Sequence, residues 1–358
     1  MTKRLASKKH YRIALLGDFK EDSPRGLQII GRKIHKGFVR NGHDVFLFSY
    51  RQHLLAQSPF AGKSLARKLA KKKTDKLCCK LLKDYQPDLV VLLAYRTIDS
   101  ETISELIKVL PDTYFAGWYP DQLDGFSDES LKTNKCLDAF MATGAGLHLD
   151  EIAKMSGNLP TAFIPNPCDP DIEKPYPQGD SPVEDLFFTG KYSHRNYSHD
   201  GSREPLLKQL AKEYGLIIHG NGENPAILGS EYLRSISNSK IAISININNS
   251  FNMYHSDRII NYLASGAFVL SSYVPDSELL FVDHKHLRYF HSNEQCMELI
   301  KYYLNHENER KMIAKAGMDH VHKTFACQRI ANDIIEFLIT GTYNQPFKYI
   351  VEQKICNQ

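Results

Sequence analysis

The stretch that decides the fold is Ser256-Asp-Arg-Ile-Ile-Asn-Tyr-Leu-Ala-Ser-Gly-Ala-Phe-Val-Leu-Ser-Ser272. Its apolar residues recur at helical spacing up to Gly266 and a short apolar run follows, which predicts a helix, a glycine stop and a strand. Ser256 and Asp257 are capping residue types, so Arg258 falls in the first turn beside unpaired backbone N–H groups. An arginine at a helix N-terminus favours binding of a diphosphate. The alternative is an ordinary capped crossover helix.

Strands and helices alternate outward from this stretch along the whole chain. Apolar runs predict strands at Tyr11–Gly17, Asp44–Ser49, Pro87–Ala94, Thr113–Gly117, Leu137–Ala142, Thr161–Ile164, Asp185–Thr189, Leu216–His219, Lys240–Ile245 and Ala267–Ser271. Helical periodicity predicts further helices at Arg25–Asn41, Lys63–Tyr85, Ser100–Leu110, Ser202–Tyr214, Ser230–Asn238, Asn293–Leu304, Glu307–Lys323 and Gln328–Ile339. This alternation is typical of the α/β class with mostly parallel, doubly wound sheets.

A proline-rich segment divides the chain into two such halves. Residues 165–182 contain six prolines and little apolar periodicity, which is typical of a linker. The predicted domains are an N-terminal Rossmann-like domain (1–167), the linker (168–182), a C-terminal Rossmann-like domain (183–340) and a tail (341–358). We expect the two domains to face each other across a cleft at their strand ends, where ligands bind. The final helix, after Phe325, is expected to return toward the first domain.

The charge of the chain is unevenly distributed. Residues 1–110 carry 23 Lys and Arg against 10 Asp and Glu, a net +13, and the remainder carries 22 against 31, a net −9, which sum to +4. A basic N-terminal half indicates an anionic partner. Seven cysteines without a CxxC pattern indicate reduced thiols, and the basic N-terminus lacks an apolar signal core. We therefore expect a cytoplasmic protein.

Several motifs in the second half occur in an order and spacing that resemble a known family. They are Gly190-Lys-Tyr-Ser-His-Arg195 with Arg203, His219-Gly-Asn-Gly222, Ser239–Asn246, Ser256–Ala267, Tyr302–Arg310 and Ile313–Gly317. Together they resemble the CgeB-like (spore-maturation-protein type) glycosyltransferases over roughly residues 185–340. The first half is similar only loosely, through Trp118-Tyr-Pro-Asp121 and Phe163-Ile-Pro-Asn-Pro167. The resemblance implies the GT-B fold, in which two Rossmann-like domains bind a nucleotide sugar without a metal.

The resemblance also implies where a donor would bind. The donor-binding candidates are Gly190, Lys191, Arg195, Gly220, Asn221, Arg258 and Asn261. Arg258, Lys191 and Arg195 are candidates to stabilise the diphosphate, and each is otherwise a solvated surface residue. The loop of Gly220 and Asn221 lies near the base in similar enzymes, although a plain Asn-Gly turn explains it equally well.

One position departs from the pattern of related retaining enzymes. A glutamate that binds the ribose usually lies five residues before the helix-ending glycine, and Asn261 stands there instead. Met253 replaces the second acidic residue that is often seen eight residues earlier. An amide hydrogen-bonds a hydroxyl without the strengthening charge, so the stereochemical outcome stays open.

In the first half, the loop after strand one and the Trp118–Asp121 segment supply the acceptor-side candidates. Gly17 and Asp18 end the first predicted strand, and Trp118 follows another. The chain's only tryptophan could stack on a sugar ring, and Asp121 is the candidate catalytic base. The alternative is a packed aromatic residue with a capping carboxylate.

The sequence predicts neither a metal site nor another cofactor. Asp169-Pro-Asp171 spells the D-x-D of metal-dependent transferases, but it falls in the predicted linker and is interpreted as accidental. The 15 histidines show no ligand spacing.

The segment Lys63–Lys83 predicts a basic amphipathic helix. Leu65, Leu69, Leu77 and Leu81 lie broadly on one face and the lysines crowd the other. Such a helix could dock on an anionic membrane surface, which would place the protein peripherally on the inner membrane face. The alternative is a solvated helix that covers the sheet. No aromatic platform accompanies the lysines, so no nucleic-acid partner is predicted.

The leading hypothesis is a metal-independent glycosyltransferase that moves a sugar from a nucleotide diphosphate to a glycan, lipid-linked or protein acceptor. One alternative is a catalytically silent nucleotide-sugar-binding protein, favoured by Asn261. Another is a nucleotide-sugar epimerase on the same fold, which would need further acids and histidines in the cleft.

Overall fold

The computed structural model describes residues 3–19, 23–24, 29–58, 63–95, 97–177, 183–191 and 203–351, and for residues 63–69 it describes the backbone alone. Two compact units make up the chain. Unit 1 comprises Met1–Pro165 with Cys327–Gln358, and unit 2 comprises Asn166–Ala326. Each unit contains one parallel sheet with helices, so the predicted fold class is confirmed.

Unit 1 is built on a six-stranded parallel sheet of order β2-β1-β3-β4-β5-β6. Its strands are β1 (Arg12–Gly17), β2 (Asp44–Ser49), β3 (Leu89–Leu92), β4 (Tyr114–Tyr119), β5 (Ala139–Ala142) and β6 (Thr161–Phe163). Its helices are α1 (Ile30–Arg40), α2 (Tyr50–Ala56), α3 (Lys63–Tyr85), α4 (Ser100–Val109), α5 (Asp128–Asn134), α6 (Leu147–Met155) and α12 (Cys327–Thr340). Because β1 lies between β2 and β3, the strand order reverses between β1 and β3.

Unit 2 is built on a five-stranded parallel sheet of order β11-β10-β9-β7-β8. Its strands are β7 (Glu184–Thr189), β8 (Ile218–His219), β9 (Ser239–Ser244), β10 (Val269–Ser272) and β11 (Arg288–Phe290). Its helices are α7 (Arg203–Tyr214), α8 (Gly229–Ser237), α9 (Asp257–Ala264), α10 (Asn293–Asn305) and α11 (Glu307–Thr324). The chain passes from β7 to β8 on one side and then to β9 on the other, so this sheet reverses between β7 and β9.

Apolar strand residues form the core of unit 2. Leu186, Phe188, Ile241, Ile243 and Leu270 are buried in one cluster with residues of α7, α10 and α11. Each such side chain contributes about 1.5–3 kcal/mol when removed from water. Ile241, Ala242 and Ile243 of β9 are buried in succession, as are Val269 and Leu270 of β10, so apolar residues follow one another there instead of alternating with exposed ones.

The division between the units differs from the predicted domains at both ends of unit 2. Residues 166–177 belong to unit 2, where Asn166, Cys168 and Glu173 are buried and the Cys168 N–H donates to the Phe325 carbonyl at 2.7 Å. The proline-rich composition therefore marks a packed, irregular segment instead of a free linker over these residues. The boundary lies at 165/166.

Helix α12 belongs to unit 1, whereas the sequence predicts that residues up to 340 belong to the second domain. It packs against α1 at Gly37, where an added Cβ would lie 2.1 Å from the Cys327 carbonyl oxygen. The final helix thus returns to the first unit, as the sequence predicts. Strand β11 and helices α2, α5 and α6 were not predicted, because each is short and its apolar pattern spans few residues.

Helix α3 packs its Ala70–Thr74–Cys78–Leu82 row into unit 1, with Leu77 and Leu81 half-buried. None of the described helices is long and apolar enough to cross a membrane.

Candidate functional site

The switch point of unit 2 lies where the carboxyl ends of β7 and β9 meet. Gly190 directly follows β7, and Ile245 directly follows β9. Ligands of open α/β sheets bind at such points, because the flanking loops diverge to opposite faces and leave the strand ends open. The side chains around Gly190 and Ile245 therefore define the candidate site within this unit.

Two arginines, each in the first turn of a helix, meet at this point. Arg203 begins α7 and Arg258 is the second residue of α9. Both donate to the Ile245 carbonyl, Arg203 Nη1 at 3.1 Å and Arg258 Nη1 at 3.0 Å. Both guanidinium carbons also lie over the Phe188 ring, at 5.8 Å and 4.9 Å from its centroid. Two helix N-termini and two guanidiniums thus converge on one strand end.

The two like charges destabilise each other in the free protein. Burial, and after it the neighbouring Arg258 charge, lower the pKa of Arg203 to about 9. Arg203 is buried, while Arg258 is half-buried and forms no ion pair with a carboxylate among the residues that the structure describes. An anion bound between them would relieve this repulsion and accept hydrogen bonds from both forks.

Gly190 keeps the Arg258 guanidinium in place. Its φ of +143° is a conformation that L side chains rarely adopt, and an added Cβ would lie 3.0 Å from Arg258 Nη2. Its N–H donates to the His219 carbonyl at 2.9 Å, which fixes the turn after β7. The absence of a side chain at Gly190 therefore lets the Arg258 guanidinium approach the backbone.

The start of α9 carries polar groups that the protein itself leaves unsatisfied. Ser256 is the N-cap residue, with an extended backbone, but its side chain makes no capping hydrogen bond. Its buried Oγ atom and the buried Oδ1 atom of Asn246 find no hydrogen-bond partner among the described residues. Asn246 also lines a small cavity of mixed polarity, in which Ser244, Ser271 and Ser272 lie beside apolar residues such as Ile259 and Leu280. These groups are suited to meet a polar ligand or water at the helix start.

The other described donor-side candidates lie in the loops after β7 and β8. Lys191 is exposed, and its carbonyl accepts a hydrogen bond from Arg203 Nη2. Gly220 has a φ of +84°, and the Asn221 side chain accepts from the Glu223 and Asn224 N–H groups at 2.9 and 2.8 Å. The Asn221 amide therefore hydrogen-bonds within its own turn, and its donor-binding role stays a prediction. Arg195 lies outside the described residues.

The amide of Asn261 lies inside unit 2. The residue is 2% exposed, and its Nδ2 donates to the Tyr232 hydroxyl at 3.4 Å. Met253 is also buried, with a φ of +58°. Arg203 is buried to a similar extent, so burial does not decide the donor-binding role of Asn261, which stays a prediction.

In unit 1 the acceptor-side candidates fall at strand ends, but their side chains are engaged. Trp118 is 0% exposed within β4, so the predicted stacking of its ring on a sugar is wrong. Asp121 is half-buried and accepts from the Gln122 N–H at 2.9 Å. Asp18 is paired with Arg51 at 4.0 Å, and Gly17 ends β1. The base role of Asp121 stays a prediction.

The Asp169–Asp171 pair serves the local backbone. Asp169 is buried, its N–H donates to Glu173 Oε2 at 2.8 Å, and its Oδ1 accepts from the Asp171 N–H at 3.3 Å. No group of three or more metal-binding side chains occurs among the described residues.

Arg203 and Asn246 belong to this site but are not among the donor-binding candidates predicted from the sequence. Arg203 occurs in the motif that carries the resemblance, and its position at the start of a helix was the available signal. What the sequence did not reveal is that the starts of α7 and α9, which are 54 residues apart, meet at one carbonyl, because that contact depends on the strand order.

Comparison with known proteins adds two findings. Residues 202–336 match the family described as glycosyl transferase-like, a region that contains both arginines. No curated protein matches the chain.

Solved structures with the same fold cover nearly the whole chain. HepE of Anabaena, in complex with UDP and glucose, aligns with a TM-score of 0.64 at 12% identity over 92% of this chain and 100% of that one. Sucrose-phosphate synthase of Thermosynechococcus elongatus aligns with a TM-score of 0.62 at 13% identity over 90% and 97%. An α-glucosyltransferase in complex with UDP and a 13-mer DNA aligns with a TM-score of 0.60 at 13% identity over 92% and 100%. The protein therefore has the GT-B fold, with two Rossmann-like units.

Proposed function

We propose that the protein is a glycosyltransferase that transfers a sugar from a nucleoside diphosphate sugar to an acceptor hydroxyl. The observation that carries this proposal is the convergence of Arg203 and Arg258 at the switch point of unit 2. The match of residues 202–336 to a glycosyl transferase-like family supports it. The complexes of similar structures with UDP favour a UDP-sugar as the first donor to test.

In this proposal the arginine pair stabilises the departing diphosphate. As the bond between the anomeric carbon and the β-phosphate oxygen breaks, negative charge develops on the diphosphate. Arg258, Arg203 and the N–H groups at the start of α9 are already oriented toward such an anion, so little reorganisation is needed. One such donor typically contributes about 2.7–4 kcal/mol to the transition state.

The acceptor is proposed to be a hydroxyl of a glycan, a lipid-linked molecule or a protein. A base is required to take its proton, and Asp121, which follows β4 of unit 1, remains the candidate. We also propose the finer assignment that the sequence resemblance implies, namely that the protein is a CgeB-like glycosyltransferase.

The same reasoning makes the reaction independent of a divalent metal, because guanidiniums supply the positive charge. We expect the turnover rate in excess EDTA to equal the rate with added magnesium or manganese. Complete loss of turnover in EDTA, restored by either metal, would contradict this part of the proposal. Asp169 and Asp171 would then be the metal-binding candidates.

A donor screen tests the proposal and separates its alternatives. The thermal shift of the protein is measured with UDP-, GDP-, dTDP- and CMP-sugars, and the stabilising donor is then incubated with and without acceptor mixtures. Nucleotide release that requires acceptor supports a transferase. Binding without turnover supports a silent sugar-nucleotide-binding protein, which Asn261 favours, and sugar conversion without acceptor supports an epimerase. No shift with any donor would refute the proposal.

A further inference from the structure

Helix α3 of unit 1 carries a row of lysines that the candidate site does not use. Its exposed lysines are Lys72, Lys73, Lys76, Lys80 and Lys83, hereafter the lysine stripe. At 3.6 residues per turn these residues lie within an arc of about 100° and extend about 16 Å along the helix axis. The stripe is thus a narrow, straight band of positive charge.

The stripe faces away from the body of unit 1. The buried residues of the same helix, Ala70, Thr74, Cys78 and Leu82, are centred on the opposite side. Lys71 lies on the packed side, where its Nζ contacts Asp75 Oδ2 at 2.7 Å and Thr102 Oγ1 at 3.1 Å. Because this packing fixes the rotation of α3, the stripe lies on the outer surface of the unit.

Within the protein, the stripe is not neutralised. None of its lysines forms an ion pair with a described residue, although exposed lysines elsewhere, such as Lys208 and Lys311, pair with glutamates one turn away. Lys72, Lys76 and Lys80 instead follow one another at i, i+4 spacing, where like charges destabilise a helix. An external anionic surface would relieve this repulsion.

We propose that the lysine stripe binds the anionic headgroups of a membrane surface, by electrostatic attraction and without insertion. Leu77 and Leu81 are half-buried against the unit, and the row beneath them is buried, so no apolar face of the described helix is available to enter the bilayer. The binding is therefore reversible and lost at high salt. This inference does not depend on transferase activity.

The composition of the stripe favours lipid over nucleic acid. Sequence-tolerant binding of single strands uses aromatic side chains on which bases stack, and phosphate recognition in grooves favours arginine forks. The stripe holds only lysines, which act as point charges, and its exposed neighbours on the helix include no aromatic residue among those described. The uniformly negative headgroup surface of an anionic membrane is the partner that this arrangement fits.

Sedimentation with vesicles tests the proposal. The full chain is mixed with phosphatidylglycerol or phosphatidylcholine vesicles at low and high salt. We expect binding to phosphatidylglycerol at low salt only. In one variant all five lysines of the stripe are changed to glutamine, which is also a good helix former. Because each lysine near the surface contributes about a factor of five to the affinity, we expect this variant to lose at least a hundredfold in binding.

A matched variant controls for net charge. Lys174, Lys212, Lys285, Lys301 and Lys323 are exposed residues of unit 2 without ion pairs to described residues, and their change to glutamine removes the same charge. We expect this control to bind within about fivefold of the unchanged protein, since only charges close to the surface contribute. Circular dichroism confirms that each variant is folded. Protein that stays in the supernatant at low salt, or equal losses in both variants, would overturn the proposal. So would tight binding of a 20-nucleotide RNA without vesicle binding, which would assign the stripe to nucleic acid.

Discussion

Each unit reverses its strand order once, and the two reversal points are filled differently. Gly17 ends β1 in unit 1, where an added Cβ would meet the buried Phe19 ring at 2.8 Å. Gly190 follows β7 in unit 2, where an added Cβ would meet Arg258 Nη2 at 3.0 Å. Glycines at equivalent points of the topology therefore make room for an apolar ring in one unit and for a guanidinium in the other.

This difference shows that topology provides the position of a site and side chains decide its use. In unit 1 the nearby acid, Asp18, is paired with Arg51. In unit 2 two arginines converge on one carbonyl. An anionic ligand is consequently expected at the switch point of unit 2.

The largest expected effect is that of Arg258→Ala. Loss of one charge-assisted donor to the departing diphosphate should lower kcat/KM by about 10²–10³ while the fold is retained. Arg234 is an exposed arginine of α8, so Arg234→Ala makes the same chemical change away from the site. Steady-state kinetics of a folded Arg258→Ala protein that match those of Arg234→Ala would break the comparison between the units.

A smaller effect is expected from Gly190→Ala. The added methyl group would displace the Arg258 guanidinium, so we expect UDP binding to weaken about tenfold, the result of losing roughly 1.4 kcal/mol of interaction. Gly215 also has a positive φ, of +68°, but an added Cβ there meets nothing within 4 Å. Gly215→Ala thus controls for the addition of a methyl group to a positive-φ glycine away from Arg258, and isothermal titration with UDP compares the two. Equal affinities would show that Gly190 does not position the arginine.

How much of this was accessible from the sequence depends on the range of the interactions involved. The parallel α/β architecture and the α9 start at Arg258 followed from local periodicity and capping residues. The Arg203–Arg258 contact did not, because it requires the β7–β9 adjacency. The stacking role given to Trp118 failed for a related reason: a strand position does not reveal which face a side chain takes, and its ring is buried.

Acid should affect unit 2 through its buried histidines. Burial lowers the pKa of His255 to about 4, and burial with the neighbouring His320 lowers that of His286 to about 4. The unfolded chain then binds protons between pH 6.5 and 4 that the folded unit does not, so stability is full above about pH 6.5 and is lost as pH falls toward 4. We expect the melting temperature to fall by about 5 °C between pH 7.5 and 5.

Differential scanning calorimetry measures this fall, and His255→Gln should reduce it. A melting temperature that is unchanged at pH 5, or a fall of the same size in His255→Gln, would contradict the contribution of His255.

The smallest effect is expected from Asp18→Asn in unit 1. This carboxylate lies at the switch point of unit 1, whereas we expect the diphosphate at the switch point of unit 2. The affinity for UDP, measured by titration, should therefore stay within the precision of the method. A strong increase in affinity, as expected when a carboxylate repelling a phosphate is removed, would place the diphosphate in unit 1.

The central claim is that the diphosphate of the donor binds between Arg203 and Arg258. A crystal structure of the protein with bound UDP tests it most directly. The account predicts phosphate oxygens within about 3.2 Å of guanidinium nitrogens of both arginines, beside the start of α9. Phosphates held by other residues, with the two arginines still bonded only to the Ile245 carbonyl, would contradict it.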